Sequence, residues 1–332
     1  MAEYKGIKGF KVQYLSADPS DPNIGQTWYN STSKDLKYTG ATAAGAWATG
    51  NNMNTARTQV AGAGTQTAAL AFGGNPGSPP LVTGVTEEYD GTNWTNSNPL
   101  NTTRNTLVGA GTQTAALAFG GRTTPGTPTE ATEEYNGTSW ASSNPFNTAR
   151  RFLAGCGTQT VGLAFGGINP TPVVTGATEE YDGTSWTSSN PLNTARGQLA
   201  GAGIQTAALA FGGAPSSPGY TGATEEYDGN SWATSPGSLN TAREQLAGAG
   251  TQTAALGFGG YAPPGNQTAT EEYDGTSWAT SPGSLNTARY ALGRAGTQAS
   301  ALAFGGDAPP ASAATEEWTG PGSPLTKTIT VS

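Results

Sequence analysis

The chain of 332 residues contains no histidine and a single cysteine, and only 11% of it is charged. Without histidine it lacks both the commonest metal ligand and the commonest general base. With Cys156 alone no intramolecular disulfide can form, so the fold cannot depend on one. Cys156 replaces an alanine in a recurring A-G-A-G, which fits a small buried residue better than a reactive thiol. No apolar run approaches 18 residues, so no membrane-spanning helix is expected. The opening M-A-E-Y-K-G-I-K-G-F-K lacks the apolar stretch of a signal peptide, so a soluble protein without ordinary export is expected. No segment carries the 3.6-residue apolar period of an amphipathic helix. The net charge of −8 argues against a nucleic-acid partner, which would need clustered lysine and arginine.

What the chain does have is repetition. Arginines at 57, 104, 150, 196, 243 and 289 follow one another at steps of 47, 46, 46, 47 and 46 residues. Six Gly-Gly pairs, from Gly73-Gly74 to Gly305-Gly306, keep the same phase, as do six Glu-Glu pairs from Glu87-Glu88 to Glu316-Glu317. A fixed period of this length dictates the architecture before any local motif is considered.

Each unit reads as four strands, a to d. Strand a follows the arginine and is rich in small residues, as in Q-L-A-G-A-G (198–203). Strand b is A-A-L-A-F-G-G (207–213), strand c is T-E-E-Y, and strand d surrounds a tryptophan. An Asp-Gly between c and d signals a hairpin whose two turn positions both take positive φ. Six such units, each a four-stranded antiparallel sheet, predict an all-β protein of six blades packed face to face. Closing them into a ring leaves only short, protected edges. Small residues suit the crowded axis, and aromatic ones fill the widening space between blades. The chain enters the array with a strand d around Trp47 and leaves after a strand c, T-E-E-W (315–318), so the first strand can complete the last blade.

Phe119-Gly120-Gly121, Tyr135, Trp140 and Arg150 together resemble the kelch-repeat pattern, which implies a six-bladed kelch-type β-propeller over residues 41–319. The copies are nearly identical, which suggests recent internal duplication. Residues 1–40 lie outside the repeat and hold five of the six lysines. Within them K-G-F-K-V-Q-Y-L (8–15) reads as a strand, 18–25 as a loop, and G-Q-T-W-Y-N-S-T-S-K-D-L-K-Y (25–38) as a hairpin. The last of these resembles short segments of bacteriophage virion proteins, particularly fibre and tail components. That resemblance implies an attachment piece joining other virion proteins. The tail 320–332 ends in a strand-like P-L-T-K-T-I-T-V-S, able to pair with the hairpin or with another chain.

The polar constellation repeated in every unit (Arg57, Arg104, Arg150, Arg196, Arg243, Arg289 with the Glu-Glu pairs) reads as a structural ion pair. An asymmetric ligand needs asymmetric residues. Trp47, Trp94, Trp140, Trp186, Trp232 and Trp278 read as core for the same reason. Adjacent glutamates on a strand point to opposite faces, so they cannot flank one glycosidic bond together. The Asp-Gly turns offer one carboxylate each where calcium wants several oxygens, so the aspartates read as turn formers. No catalytic residue, cofactor or metal is expected. What differs between units is more informative, since rigid folds carry recognition on variable loops. The b–c loops (75–85, 122–131, 168–177, 214–223, 261–269 and 307–314) must all emerge on one face. They are proline-rich and are expected to expose Leu81, Val82, Arg122, Ile168, Val173, Val174, Tyr220 and Tyr261. The expected function is a non-enzymatic virion protein, presenting these loops to a host glycan or receptor or decorating the particle. An intracellular interaction scaffold is the alternative, a glycan-processing enzyme a distant third, and self-association of the chain stays open.

Overall fold

The computed structural model describes residues 12–20, 25–41, 44–124, 126–215, 219–322 and 324–329. It divides into two compact units, one formed by 46–318 and the other by 1–45 with 319–332.

The larger unit is a six-bladed β-propeller. Five blades are consecutive; the first comprises Ala61–Gly64, Ala69–Phe72, Thr86–Tyr89 and Trp94–Ser97. In the sixth, Gly293–Gly296, Ser300–Phe304 and Thr315–Thr319 are completed by Ala46–Gly50 from the opposite end of the array. The innermost strands contact one another in a closed cycle, the sixth against the first.

The strands are short because their ends are fixed by backbone geometry. Strand b stops at Phe72 because Gly73 and Gly74 take φ of 65° and 108°. A Cβ on Gly73 would stand 2.7 Å from the Arg104 carbonyl, so the residue must be glycine. Strand a begins later than its composition suggests, at Ala200 rather than Gln198, because Gln198 lies in the left-handed region at φ 60°. The c–d turn also differs from expectation. Gly91 alone takes a positive φ, while Asp90 uses its carboxylate to accept the Thr92 and Asn93 N–H groups at 2.8 and 2.7 Å. An aspartate that caps its own turn in this way does not need the left-handed conformation.

Three contacts recur at the blade junctions. The indole of each outer-strand tryptophan donates to a threonine on the preceding blade, as Trp140 does to Thr86 Oγ1 at 3.0 Å. A glutamine of the a–b turn donates to two carbonyls of the preceding blade, as Gln113 does to Ala69 and Tyr89. A tyrosine hydroxyl closes on the second glutamate of the preceding pair, as Tyr135 does on Glu88 at 2.5 Å. Phe72, Tyr135 and Trp140 fill the junction between the first two blades; Phe72 and Tyr135 are fully buried and Trp140 is 6% exposed. Burying each such ring contributes roughly 1.5–3 kcal/mol.

In the smaller unit, Thr27–Asn30 and Asp35–Ala41 form the expected hairpin, with Gln13–Leu15 parallel to its first strand. Pro324–Ile329 pairs antiparallel with the second strand, which resolves where the C-terminal strand goes. Residues 8–11 and 21–24 of the expected strand and loop lie outside the described residues. Asp18 is the hub: its carboxylate accepts from the Trp28 indole (3.0 Å), the Asn30 amide (2.7 Å) and the Lys37 ammonium (2.7 Å). Those bonds, Lys37 first, hold its pKa down at about 2.

Candidate functional site

The repeated arginines and tryptophans are internal. Each arginine is fully buried and pairs with the first glutamate of its own blade, Arg57 with Glu87 and Arg150 with Glu179 both at 2.8 Å. Arg57 also donates to the Gly73 and Val85 carbonyls, and Glu87 accepts the Asn54 and Thr55 N–H groups of the entering linker. Burial lowers the pKa of Arg57 and Arg104 to about 10. Buried and bonded in this way, these groups hold the linker to the blade.

The asymmetric residues gather on one face, around the mouth of the central axis. There the six residues two positions after the repeated arginines form a closed backbone ring. Gln59 N donates to Ala291 O (2.7 Å), Ala291 to Gln245 (2.9 Å), Gln245 to Gln198 (2.7 Å), Gln198 to Phe152 (2.8 Å), Phe152 to Thr106 (3.1 Å) and Thr106 to Gln59 (3.2 Å). All six lie at φ between 51° and 60°. Side chains larger than glycine pay about 1–2 kcal/mol each there, offset by the ring of bonds.

Outside this ring, the residue directly after each arginine pairs with the first residue of its own b–c loop: Thr58 with Asn75, Asn105 with Arg122, Arg151 with Ile168, Gly197 with Ala214, Glu244 with Tyr261, and Tyr290 with Asp307. The loop residue of one blade then meets the entry residue of the next. Ile168 sits where a Cβ on Gly197 would be, 2.8 Å away, and the Tyr261 and Tyr290 rings lie 6.0 Å apart. Arg122 and Arg151 occupy the equivalent positions between the second and third blades, and burial, with the charge of Arg151 after it, lowers the pKa of Arg122. The mouth is therefore polarised. Its second and third blades present two guanidinium groups. Its fourth to sixth present Tyr220, Tyr261 and Tyr290 with the carboxylates of Glu244 and Asp307.

Burial raises the pKa of Glu244, which accepts from Gln198 Nε2 at 2.7 Å. Tyr290 donates to Asp307 Oδ2 at 2.8 Å, and burial together with that bond pushes its pKa up to about 12.

Of the expected recognition residues, Arg122, Ile168 and Tyr261 stand in this outer ring, and the Tyr220 ring lies tilted against that of Tyr261 with centroids 5.9 Å apart. Leu81 and Val173 are more than half exposed and Val174 is half-buried. Val82 is not exposed as expected: it is 7% accessible, because the Thr83 N–H bonds the Gly74 carbonyl and folds the loop end inward. Pro79, Pro80, Leu81 and Val82 wall a cavity of about 390 Å³ whose other side carries Asn105 and Arg122. The entry residues Arg151, Glu244 and Tyr290 were not foreseen. Their signal was available, since the position after the repeated arginine reads Thr, Asn, Arg, Gly, Glu and Tyr.

Deeper on the axis lies Arg294, also unforeseen, where the other five blades carry Gly62, Gly109, Gly155, Gly201 and Gly248. Its guanidinium donates to the Gly155, Gly201 and Gly248 carbonyls and separates the chamber behind the mouth from the opposite opening. Gly109 could not carry a side chain here, since its Cβ would stand 2.4 Å from the Gly62 carbonyl. Cys156 lies beside it, buried, with its thiol pushed up to about 12 by burial. Among the described residues no group of three or more His, Cys, Asp or Glu converges as metal ligands would.

The fold is that of a six-bladed β-propeller, with the Gly-Gly, Tyr, Trp and Arg positions of the kelch pattern at its strand ends and junctions. Among solved structures it is similar to that of YjhT, with a TM-score of 0.67 over 81% of this chain and 95% of YjhT at 13% identity. No family model and no curated protein matches the sequence.

Proposed function

We propose that the protein is a non-enzymatic recognition module whose ligand sits over the axial mouth, and that it belongs to a virus particle. The observation that carries the first part is the confinement of asymmetry. The blades share the same tryptophan–threonine and glutamine–carbonyl junction contacts, yet around the mouth no two units present the same residue pair. A rigid frame with a single variable face suits binding of one ligand with little ordering cost. Its mixture of tyrosines, carboxylates and guanidinium groups suits a polar partner such as a surface glycan. The virion assignment is supported by the resemblance of the 25–38 hairpin to phage fibre and tail segments.

One feature favours a catalytic reading, the placing of Tyr290, Asp307 and Glu244 on the same face as two arginines. Against it, a tyrosine nucleophile must lose its proton, and Tyr290 is held protonated with a pKa near 12. An intracellular scaffold would use the same face and differ only in partner.

Binding of the purified protein to a glycan array and to whole host cells tests the proposal, using the double variant Tyr220→Ala/Tyr261→Ala and a swap of the b–c loops of units two and four. Loss of binding in both is expected. Binding that survives both would place the site elsewhere, and glycan turnover would sink the non-enzymatic reading. Absence of the protein from purified particles would remove the virion assignment.

A further inference from the structure

The repeat supplies its own controls for judging the outer ring. At the junction of Tyr261 with Tyr290 the two rings meet edge to face; at that of Ile168 with Gly197 a large residue fills the space a small one leaves. Each pair is self-complementary. At the homologous place between the second and third blades the pair is Arg122 with Arg151, both positively charged.

Neither arginine makes an ion pair among the described residues. Arg122 donates its Nε to Asn105 Oδ1 at 2.9 Å, and Asn105 is held in turn by the Leu81 carbonyl. That leaves the terminal nitrogens of Arg122 without a hydrogen-bond partner among the described residues. Arg151 rests on the Phe152 ring at 5.7 Å, and its Nε is buried with no hydrogen-bond partner among the described residues. Like charges brought together under partial burial destabilise the fold unless something of opposite charge joins them. Two planar forks with free donors match the oxygens of a carboxylate, sulfate or phosphate group.

We propose that the Arg122–Arg151 junction is an oxyanion site, holding the acidic substituent of a saccharide whose apolar face lies along Pro79, Pro80 and Leu81. The cavity of about 390 Å³ beside Arg122 accommodates a sugar ring or two. Acidic saccharides combine the two features that the site offers, a charged substituent and a C–H face for an apolar wall. The inference rests on the reading of this face as the recognition surface, and gives its ligand a charge.

The test uses the full-length protein and needs no host cell. Thermal unfolding is followed as sodium sulfate replaces sodium chloride at constant ionic strength, in the wild type, Arg122→Gln and Arg151→Gln. Sulfate strengthens burial in any protein, so every variant shows a gradual rise. The wild type alone is expected to add a saturable rise of about 2–4 °C at tenfold excess over the dissociation constant. Arg151→Glu, which places a carboxylate against Arg122, is expected to melt above the wild type without sulfate and to lack the saturable rise. A glucuronate-containing disaccharide is expected to compete with sulfate and bind at least tenfold more tightly. A wild type with no saturable rise, or glutamine variants that keep it, would overturn the site. Equal affinity for sulfate and disaccharide would overturn the saccharide part. Cell binding that fails while the sulfate response stands would overturn the recognition reading and leave the oxyanion site intact.

Discussion

Trp94 in the first blade donates its indole N–H to Thr315 Oγ1 in the sixth across 2.9 Å, although 221 residues separate them along the chain. It is the same bond that Trp140 makes to Thr86 and Trp186 to Thr132, where the partners are 54 residues apart. The ring is thus closed by the contact that builds it.

Thr315→Val keeps the shape and removes the acceptor, leaving a buried indole N–H unpaired. A loss of about 1–3 kcal/mol in unfolding free energy is expected. Thr178→Val, which deprives Trp232 of the same bond inside the array, is expected to cost as much. Denaturant titration of both variants decides; a Thr315 variant markedly less affected would show that closure contributes little to stability.

Arg150→Met breaks a buried ion pair and leaves Glu179 without its counter-charge. The expected cost is about 3–5 kcal/mol. Arg150→Met/Glu179→Met removes both charges and is expected to lose less than the two single variants together. Additive losses in a double-mutant cycle would contradict the pairing.

Thr106 is a β-branched residue held at φ 55°. Thr106→Gly relieves about 1–2 kcal/mol of left-handed strain and costs about 0.5–1 kcal/mol of backbone entropy, so a small net stabilisation is expected. The Phe152 N–H bond to the backbone carbonyl of residue 106 survives the change. A lower midpoint in denaturant would show that the threonine side chain, which bonds the Asn105 carbonyl at 2.6 Å, outweighs the strain.

Asp18 is depressed from 3.8 to about 2, so the bonds it makes contribute fully above its ordinary value and are lost as pH falls through the window between the two. The Trp28 indole N–H reports this directly by nuclear magnetic resonance. Its signal is expected to hold steady from pH 6 to about 4 and to move as pH approaches 2. Movement centred near pH 4 would mean that Asp18 is not held by Lys37, Asn30 and Trp28 together.

The buried, high-pKa thiol of Cys156 is expected to resist alkylation at pH 8 in the folded protein and to react fully once unfolded, as mass spectrometry would record.

Blade number, strand order and the blade completed by the strand around Trp47 were all legible in the sequence, because each follows from a period or from a mismatch at the ends of one. The Arg–Glu pairing was legible too, since presence in every unit argued for a shared internal role. The site was half legible. Attention to variable loops singled out Arg122, Ile168 and Tyr261 of the outer ring but not Arg151, Glu244 or Tyr290, whose variability is hidden one residue after an invariant arginine. Arg294 escaped because a single departure inside a small-residue strand carries no local signal. Its meaning comes from five glycines in other blades, brought around it by the fold. Val82 was misplaced because sequence gives a loop's composition and not its path.

Arg294 also acts as a gauge of circumference. The blades interlock through the same tryptophan–threonine and glutamine–carbonyl contacts, so duplication or loss of an inner unit would leave those lateral contacts chemically satisfied. What such an event would alter is the distance across the axis, and one arginine side chain spans it now to three carbonyls. A chain free to gain or lose copies by recombination therefore carries, in one residue of one copy, a part that fits a single ring size.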